Sequence, residues 1–307
     1  MIAPGRALEP MGRVLDVALL HVHEARTSQL PRHKPKVDGP GAELAGQVEA
    51  VGKNVTRFRP GDEVFGKVNG EVPGQPMLEL ASFGEYVSVS EDWLALKPAN
   101  LTFEQAAAVP MAGFTALQGL CDIGQIQPRQ KVLIIGASGG VGTFAVQIAK
   151  SFGAEVTGVC SAKNLDMVRS IGADQVIDYT QEDFTQSGQR YDLILDIAAK
   201  RPVSDYKRAL SPKGIYVLCG SSMAAMLQVL FLGPLISMTG SKKFVYYGAK
   251  PNNKDLVFMK ELLETGKVVP VIDRRYTLSE VPEAIRYYEK GHARGKVVIT
   301  VEHNSNT

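Results

Sequence analysis

Residues 132–164 read "VLIIGASGGVGTFAVQIAKSFGAEVTGVCSAKN". An apolar run meets a burst of glycines, then an amphipathic stretch, then a second apolar run. The pattern predicts a strand over Lys131–Ile135, a turn through Gly136, Gly139 and Gly142, and a helix beginning near Val141. The glycines of such a turn serve three separate ends, namely a sharp reversal, a close approach of backbone to a pyrophosphate, and tight packing of helix on strand. The helix N-terminus adds free N–H groups and partial positive charge. Gly140 gives further backbone freedom and Ser138 offers a hydroxyl. A glycine triplet alone is weak evidence. Here a strand precedes it, a helix follows it and a second strand comes about 20 residues on, which is the context a dinucleotide site needs. The competing reading is a purely structural turn.

The second apolar run, Val156–Cys160, ends in Ser161-Ala162-Lys163-Asn164. A site selective for NAD places Asp or Glu there to hold the ribose 2′-hydroxyl. No carboxylate stands here to repel a 2′-phosphate. Ser161 can donate a hydrogen bond, Lys163 supplies a point charge, and Arg169 is a further cation on the next predicted helix. These residues predict NADP(H) rather than NAD(H) as cofactor. The plainer alternative makes Lys163 a solvated residue at a helix start.

Outward from this centre the texture divides the chain. From Thr102 to about residue 220, apolar runs ("KVLIIGA", "EVTGVCS", "QVIDY", "YDLILDIA", "IYVLCGS") alternate with helical stretches ("TFAVQIAKSFG", "LDMVRSIG", "SDYKRALSPKG"). Such alternation implies parallel βαβ units with both sheet faces covered. Thr102 and Gln105 have capping-box spacing. Upstream, "AGQVEAVGKNVTRFRPGDEVFGKV" (45–68) and "SFGEYVSVSEDWLALKP" (82–98) read as short strands and tight turns. In residues 1–40 only "RVLDVALLHVHEA" (13–25) has periodicity. The tail predicts helix, strand, helix and strand in "DLVFMKELLETG", "RRYTL", "VPEAIRYYEKG" and "KVVITV". The expected division is 1–109 for a β-rich part, 110–250 for a doubly wound nucleotide-binding part, and 251–307 for a return to the first.

The chain has 307 residues, 45 % of them hydrophobic and 21 % charged, with a net charge of +2. That is an ordinary globular composition, and the charge argues against a nucleic-acid partner. Three cysteines (Cys121, Cys160, Cys219) in no C-x-x-C spacing favour buried hydrophobes in a reducing compartment, and a cytoplasmic location is expected. The most apolar stretch, "MAAMLQVLFLGPLISM" (223–238), is broken by Gly233-Pro234 and is shorter than the ~20 residues of a spanning helix. It reads as a buried or interface-facing segment, with no membrane partner. "KFVYYGA" (243–249) ends the predicted sheet, and an unpaired edge there is a liability.

With these residues in view, the chain resembles the medium-chain dehydrogenase/reductase superfamily, in its zinc-independent, zeta-crystallin-like quinone oxidoreductase branch. The resemblance rests on "GAELAGQVEAVGKNVTRFRPGDEVFG" (41–66), "SFGEYVSVS", "AAVPMAGFTALQGL", "GASGGVGTFAVQIAKSFGAEVTGVC", "GADQVIDY", "LSPKGIYVLCGS" and "GHARGKVVI", and spans about residues 35–302. It implies an α/β fold: a Rossmann doubly wound parallel sheet plus a GroES-like β-rich domain, with the active site between them. Gly136, Ser138, Gly139, Gly140 and Val141 would form the pyrophosphate turn. Ser161 and Lys163 would meet the 2′-phosphate. Tyr179 matches a tyrosine beside the adenosine end, although a tyrosine at a strand end can also be merely amphipathic. Thr115, Gly220 and Ser221 would lie on the nicotinamide side, and Arg294 matches more loosely. In this family the edge strand pairs with a second subunit, which implies a homodimer.

Zinc-dependent relatives carry Gly-His-Glu where this chain has Gly41-Ala42-Glu43, and alanine cannot ligate zinc. The expectation is therefore no metal. Without a metal to polarise a carbonyl, hydride is best delivered to a carbon already activated by conjugation. The resemblance thus implies NADPH-dependent reduction of a quinone or an α,β-unsaturated carbonyl as the small-molecule substrate. Residues 1–33 do not follow the family's opening strands, which implies a β-domain incomplete or remodelled at its N-terminus. No catalytic residue is assigned. The second reading is a cofactor-binding protein of weak or no turnover, regulatory or structural.

Overall fold

A computed structural model describes residues 17–20, 41–68, 83–87, 89–220, 223–239, 241–250, 252–291 and 293–301. The first strands are β1 (Val17–Leu20), β2 (Glu43–Gln47), β3 (Glu63–Lys67) and β4 (Leu94–Leu96). Helices α1 (Phe103–Ala107) and α2 (Pro110–Gln118) lead to β5 (Lys131–Ile135), α3 (Gly140–Ser151), β6 (Glu155–Cys160), α4 (Leu165–Ser170) and β7 (Gln175–Asp178). There follow β8 (Tyr191–Asp196), α5 (Val203–Ala209), β9 (Leu210–Cys219), α6 (Met223–Thr239) and β10 (Lys243–Tyr247). The tail supplies α7 (Asn253–Glu264), β11 (Ile272–Thr277), α8 (Val281–Glu289) and β12 (Lys296–Thr300).

Among the described residues the strands form two sheets. One has the order β10-β9-β8-β5-β6-β7 and is parallel throughout. Its order reverses between β5 and β8, which opens a crevice at their carboxyl ends, where open α/β sheets take ligands. The other has the order β11-β12-β1-β2-β3-β4, so strands from both ends of the sequence share it. β1 lies parallel to β12 and β2, whereas β2, β3 and β4 run antiparallel. A Rossmann-like parallel sheet thus stands beside a GroES-like sheet.

The apolar runs are continuous in the inner strands β5, β6, β8 and the second half of β9, which are buried on both faces. Val132, Ile134, Leu193, Leu195 and Val217 pack in a core with residues of α2, α3 and α7. Their neighbours Leu133, Ile135, Ile194, Tyr216 and Leu218 pack on the other side with Tyr206, Val229 and Phe244. The alternation is the period of two that a strand imposes.

Local signals place several elements. The Thr102 hydroxyl accepts from Gln105 N and the Gln105 side chain accepts from Thr102 N, a complete capping box at α1. Two stretches differ from the sequence reading. Residues 210–214, read as the end of a helix, belong to β9, where Lys213 takes φ +65° and the register against β8 shifts between Tyr191 and Leu193. Turn-forming residues here begin an irregular strand rather than close a helix. α6 runs through Gly233-Pro234 unbroken. It is a helix lying on β10, with Val229 buried, while Leu227, Leu230, Phe231, Leu232, Leu235 and Met238 are exposed. The buried reading of 223–238 therefore holds for Val229 and not for this outer face. Of the 13–25 stretch, only β1 lies among the described residues.

One buried ion pair ties the GroES-like sheet to the central helices. Lys296 Nζ of β12 donates to Glu43 Oε2 of β2 at 2.5 Å, and both side chains are fully buried. The second Glu43 oxygen accepts from Met111 N at 2.6 Å, in the first turn of α2. A carboxylate is favourable at that helix end. Breaking such a pair on one side typically costs about 3–5 kcal/mol.

Candidate functional site

The glycine turn sits at the carboxyl end of β5, on the crevice. Gly136 has φ +85°, a conformation that favours glycine. Gly136 and Ala137 both donate to Val159 O of β6, at 3.1 and 3.0 Å, and Ile197 N donates to Ile135 O at 3.1 Å. The turn is therefore fixed from β6 and β8 at once. A Cβ on Gly142 would lie 2.1 Å from Gly136 O and 2.7 Å from Ala137 Cα, so the third glycine is there for packing of α3 on the strand. Gly139 is the N-cap of α3 and supplies no side-chain acceptor. The first-turn amides of Gly140, Val141 and Gly142 have no intrahelical acceptor. They form a ready cradle for an anion.

The end of β6 lies against this turn. Asn164 Nδ2 donates to Ser138 Oγ at 3.0 Å and to Ser161 Oγ at 3.3 Å. Ser138, Ser161 and the turn are thus one polar group, although 23 residues separate the serines in sequence. Lys163 is exposed and has no acidic partner among the described residues. Arg169 pairs with Asp166 at 3.0 Å in an exposed contact, which offsets part of its charge. No acidic side chain follows β6 before Asp166.

The other candidate residues are less concentrated. Tyr179 follows β7, is 54 % exposed, and has Lys200 Nζ 6.0 Å from its ring centroid. Gly220 follows β9 with φ +57°. Ser221 lies outside the described residues. Thr115 is within α2; its hydroxyl donates to Met111 O at 2.8 Å and its carbonyl accepts from the Tyr247 hydroxyl. Arg294 is half-exposed, with its guanidinium 3.8 Å from Asp273. It neighbours the turn through the chain, because Gly295 N donates to Ser138 O at 2.9 Å and Gly295 bridges Gly139. The tail strand β12 therefore begins directly on the glycine turn.

At the reversal point of the sheet, Asp196 is fully buried at the end of β8. It accepts from Tyr216 Oη at 2.8 Å and from Ala198 N at 3.0 Å. Burial pushes its carboxyl above the usual range, against those hydrogen bonds. Burial likewise raises the Cys121 thiol to about 12 and the Cys160 thiol to about 11, with Asp122 and Asp178 adding to it, and it raises Cys219 as well. These thiols stay protonated near neutrality and are poor nucleophiles.

A family model described as alcohol dehydrogenase GroES-like domain matches residues 15–99, and one described as zinc-binding dehydrogenase matches residues 171–299. The chain is 34 % identical to the mitochondrial NAD(P)H oxidoreductase RTN4IP1 of Mus musculus, over 85 % of this chain and 70 % of that one. It is 33 % identical to the chloroplastic quinone-oxidoreductase QR1 of Triphysaria versicolor, over 88 % of this chain and 81 % of that one. Among solved structures, the quinone oxidoreductase from Coxiella burnetii superposes with a TM-score of 0.73 at 29 % identity, covering 86 % of this chain and 80 % of that one. The chain belongs to the medium-chain dehydrogenase/reductase superfamily, in its quinone oxidoreductase-like branch.

Within that superfamily fold, sequence reasoning left three residues without a role: Glu43, Lys296 and Asn164. A signal for the first two was available, since each charge stands inside an apolar strand ("AELAG", "GKVVIT") and so needs a buried partner. Which partner is a long-range fact, 253 residues apart. Asn164 closes the short turn after β6, where a solvated polar residue is the ordinary expectation, and nothing local marks it as buried.

Proposed function

We propose that this superfamily member is an oxidoreductase that uses NADPH to reduce a quinone or an α,β-unsaturated carbonyl, independently of zinc. One observation carries the cofactor choice: an acid-free exit from β6, with Ser161 and exposed Lys163 beside the open amino end of α3. The diphosphate is held by the amides of Gly140 and Val141 together with Gly136, Ser138 and Gly139. Ser161 and Lys163 receive the 2′-phosphate, Tyr179 lies along the adenosine, and Arg294 stands by the turn. Thr115 and Gly220 are assigned to the nicotinamide side, and Ser221, outside the described residues, is assigned there by its place in the sequence. The uncapped α3 terminus and the space beside Gly139, where a Cβ would meet only Gly136 O at 3.5 Å, both fit such a ligand. When bound, the cofactor supplies hydride.

Zinc independence rests on Ala42, which offers no ligand atom where zinc-dependent relatives carry histidine. A conjugated acceptor suits a site without a Lewis acid, because the charge that develops is spread to a distant oxygen. The relatives named quinone oxidoreductase support the same substrate class. We divide the chain into residues 1–109 and 251–307 for the GroES-like part and 110–250 for the cofactor-binding part. A second copy of the chain covers α6 and the edge of β10, giving a homodimer. No helix among the described residues is long and apolar enough to cross a membrane. The cytoplasm suits the protonated thiols, and cell fractionation tests that placement against the organelles named for the relatives.

The test is a coupled pair of measurements on the whole chain. NADPH oxidation is followed by absorbance with phenanthrenequinone and with a simple enone, and NADPH binding is measured by calorimetry. Oxidation with either acceptor supports the reading. Tight binding with neither substrate consumed supports a binding protein without turnover instead.

A further inference from the structure

The polar cluster beneath the glycine turn contains a residue that the cofactor reading does not use. Asn164 is only 5 % exposed. Its backbone N–H donates to Ser161 O at 2.9 Å, and its carboxamide nitrogen donates to both Ser138 Oγ and Ser161 Oγ. Its own Oδ1 is buried and has no hydrogen-bond partner. A buried acceptor without a donor is rare and destabilises a fold. A carboxamide turned the other way would accept from the two hydroxyls instead.

A serine hydroxyl has one proton to donate and two lone pairs. Here one lone pair on each serine is taken by an N–H of Asn164, so each hydroxyl proton points elsewhere. Neither hydroxyl donates to a protein acceptor among the described residues. Ser138 is also fixed through its carbonyl, which accepts from Gly295 N.

We propose that Asn164 is a positioning residue that sets Ser138 and Ser161 as paired hydrogen-bond donors, one at the diphosphate turn and one at the 2′-phosphate. This rests on the cofactor reading above. One carboxamide then orients the two ends of the adenosine diphosphate site together. The consequence is coupling: the contribution of either serine to NADPH binding depends on Asn164.

The decisive variant is Asn164→Asp, which keeps the shape but reverses the polarity. Its carboxylate accepts from both serines, draws both protons inward and adds a repelling charge. Calorimetry on the full chain should show NADPH affinity falling by about 100-fold, from the loss of two hydrogen bonds to charged phosphates. NADH, which lacks the 2′-phosphate, should weaken less, so the NADPH/NADH preference falls. The new carboxylate alone also repels the 2′-phosphate, so the neutral Asn164→Ser separates the readings: a merely structural role would weaken both coenzymes equally there, whereas loss of positioning costs NADPH more. Asn164→Ser is the second variant if the first does not fold. Ser138→Ala and Ser161→Ala leave Asn164 untouched and should each cost NADPH about 10-fold in affinity. In the Asn164→Ser background the same serine changes should cost less than that.

NADPH binding unchanged in Asn164→Asp overturns the proposal while leaving the cofactor reading intact; binding unchanged in both serine variants overturns the proposal and the contacts assigned to Ser138 and Ser161 as well. Strictly additive effects overturn it too. A wild-type chain that binds neither coenzyme overturns the cofactor reading itself.

Discussion

Helices α3 and α6 are both apolar and both cover the same parallel sheet, yet one is enclosed and the other lies half bare. In α3 the residues from Gly142 to Ala149 are all buried, between the sheet and α2. Gln147 ties that helix to the tail as well, donating to Val269 O at 3.0 Å and accepting from Val269 N at 2.8 Å. In α6, by contrast, Phe231 is 71 % and Met238 83 % exposed, and no acidic or basic residue interrupts the helix. Apolar composition states that a surface avoids water; it does not say what covers it. For α3 the cover is the chain's own fold. For α6 no described residue encloses the outer face, and the adjacent strand β10 lies at the edge of its sheet among the described residues. An exposed apolar patch of this kind is what supports the second copy of the chain proposed above.

The contrast can be broken in graded steps. Gly142→Val drives a branched side chain into Gly136 O, and such overpacking against backbone should cost about 3 kcal/mol or more. Chemical denaturation should show that loss, or no folded protein at all. Phe144→Ala should cost about 3–5 kcal/mol in the same assay, since that ring is fully buried in α3. Phe231→Ala in α6 is the matched control and should change monomer stability by less than about 0.5 kcal/mol. A cost equal to that of Phe144 would mean that α6 is covered within one chain.

Association tests the other half of the comparison. Phe231→Glu should convert a dimer to monomer in light scattering after gel filtration, while coenzyme binding persists, because the charge would be desolvated at the interface. A variant that stays dimeric places the interface elsewhere. The smallest expected effect concerns thiols. With Cys160 raised to about 11 and Cys121 to about 12, both are protonated from neutral pH up to about 10. A thiol reagent should therefore label the folded chain very slowly at pH 8 and label all three cysteines once it is unfolded.

Legibility in the sequence follows the range of the cause. The run from β5 through the glycine turn and α3 to β6 was readable because its constraints are local: a turn that favours glycine at Gly136, a helix that admits no Cβ at Gly142, and apolar strands buried on two faces. The capping box at Thr102 was readable for the same reason. The α5–β9 boundary was not, because "SPKG" has turn chemistry and only pairing with β8 makes it strand. α6 looked broken at Gly233-Pro234 because a helix-interior proline removes one hydrogen bond, and packing on β10 is invisible in the sequence. Within the site, the serines and Lys163 stood out by type and place. The burial of Asn164 between them depends on strands β5 and β6 lying side by side, a fact of the folded chain alone.

The proposed NADPH preference places cofactor choice between the α3 amino end and the exit of β6. Calorimetric titration of the wild-type chain and of Lys163→Ala with NADPH and with NADH measures it directly. The expected result is NADPH bound about 100-fold more tightly than NADH, with about 10-fold of that preference lost in Lys163→Ala. Equal affinity for the two coenzymes, or a preference for NADH, would contradict it.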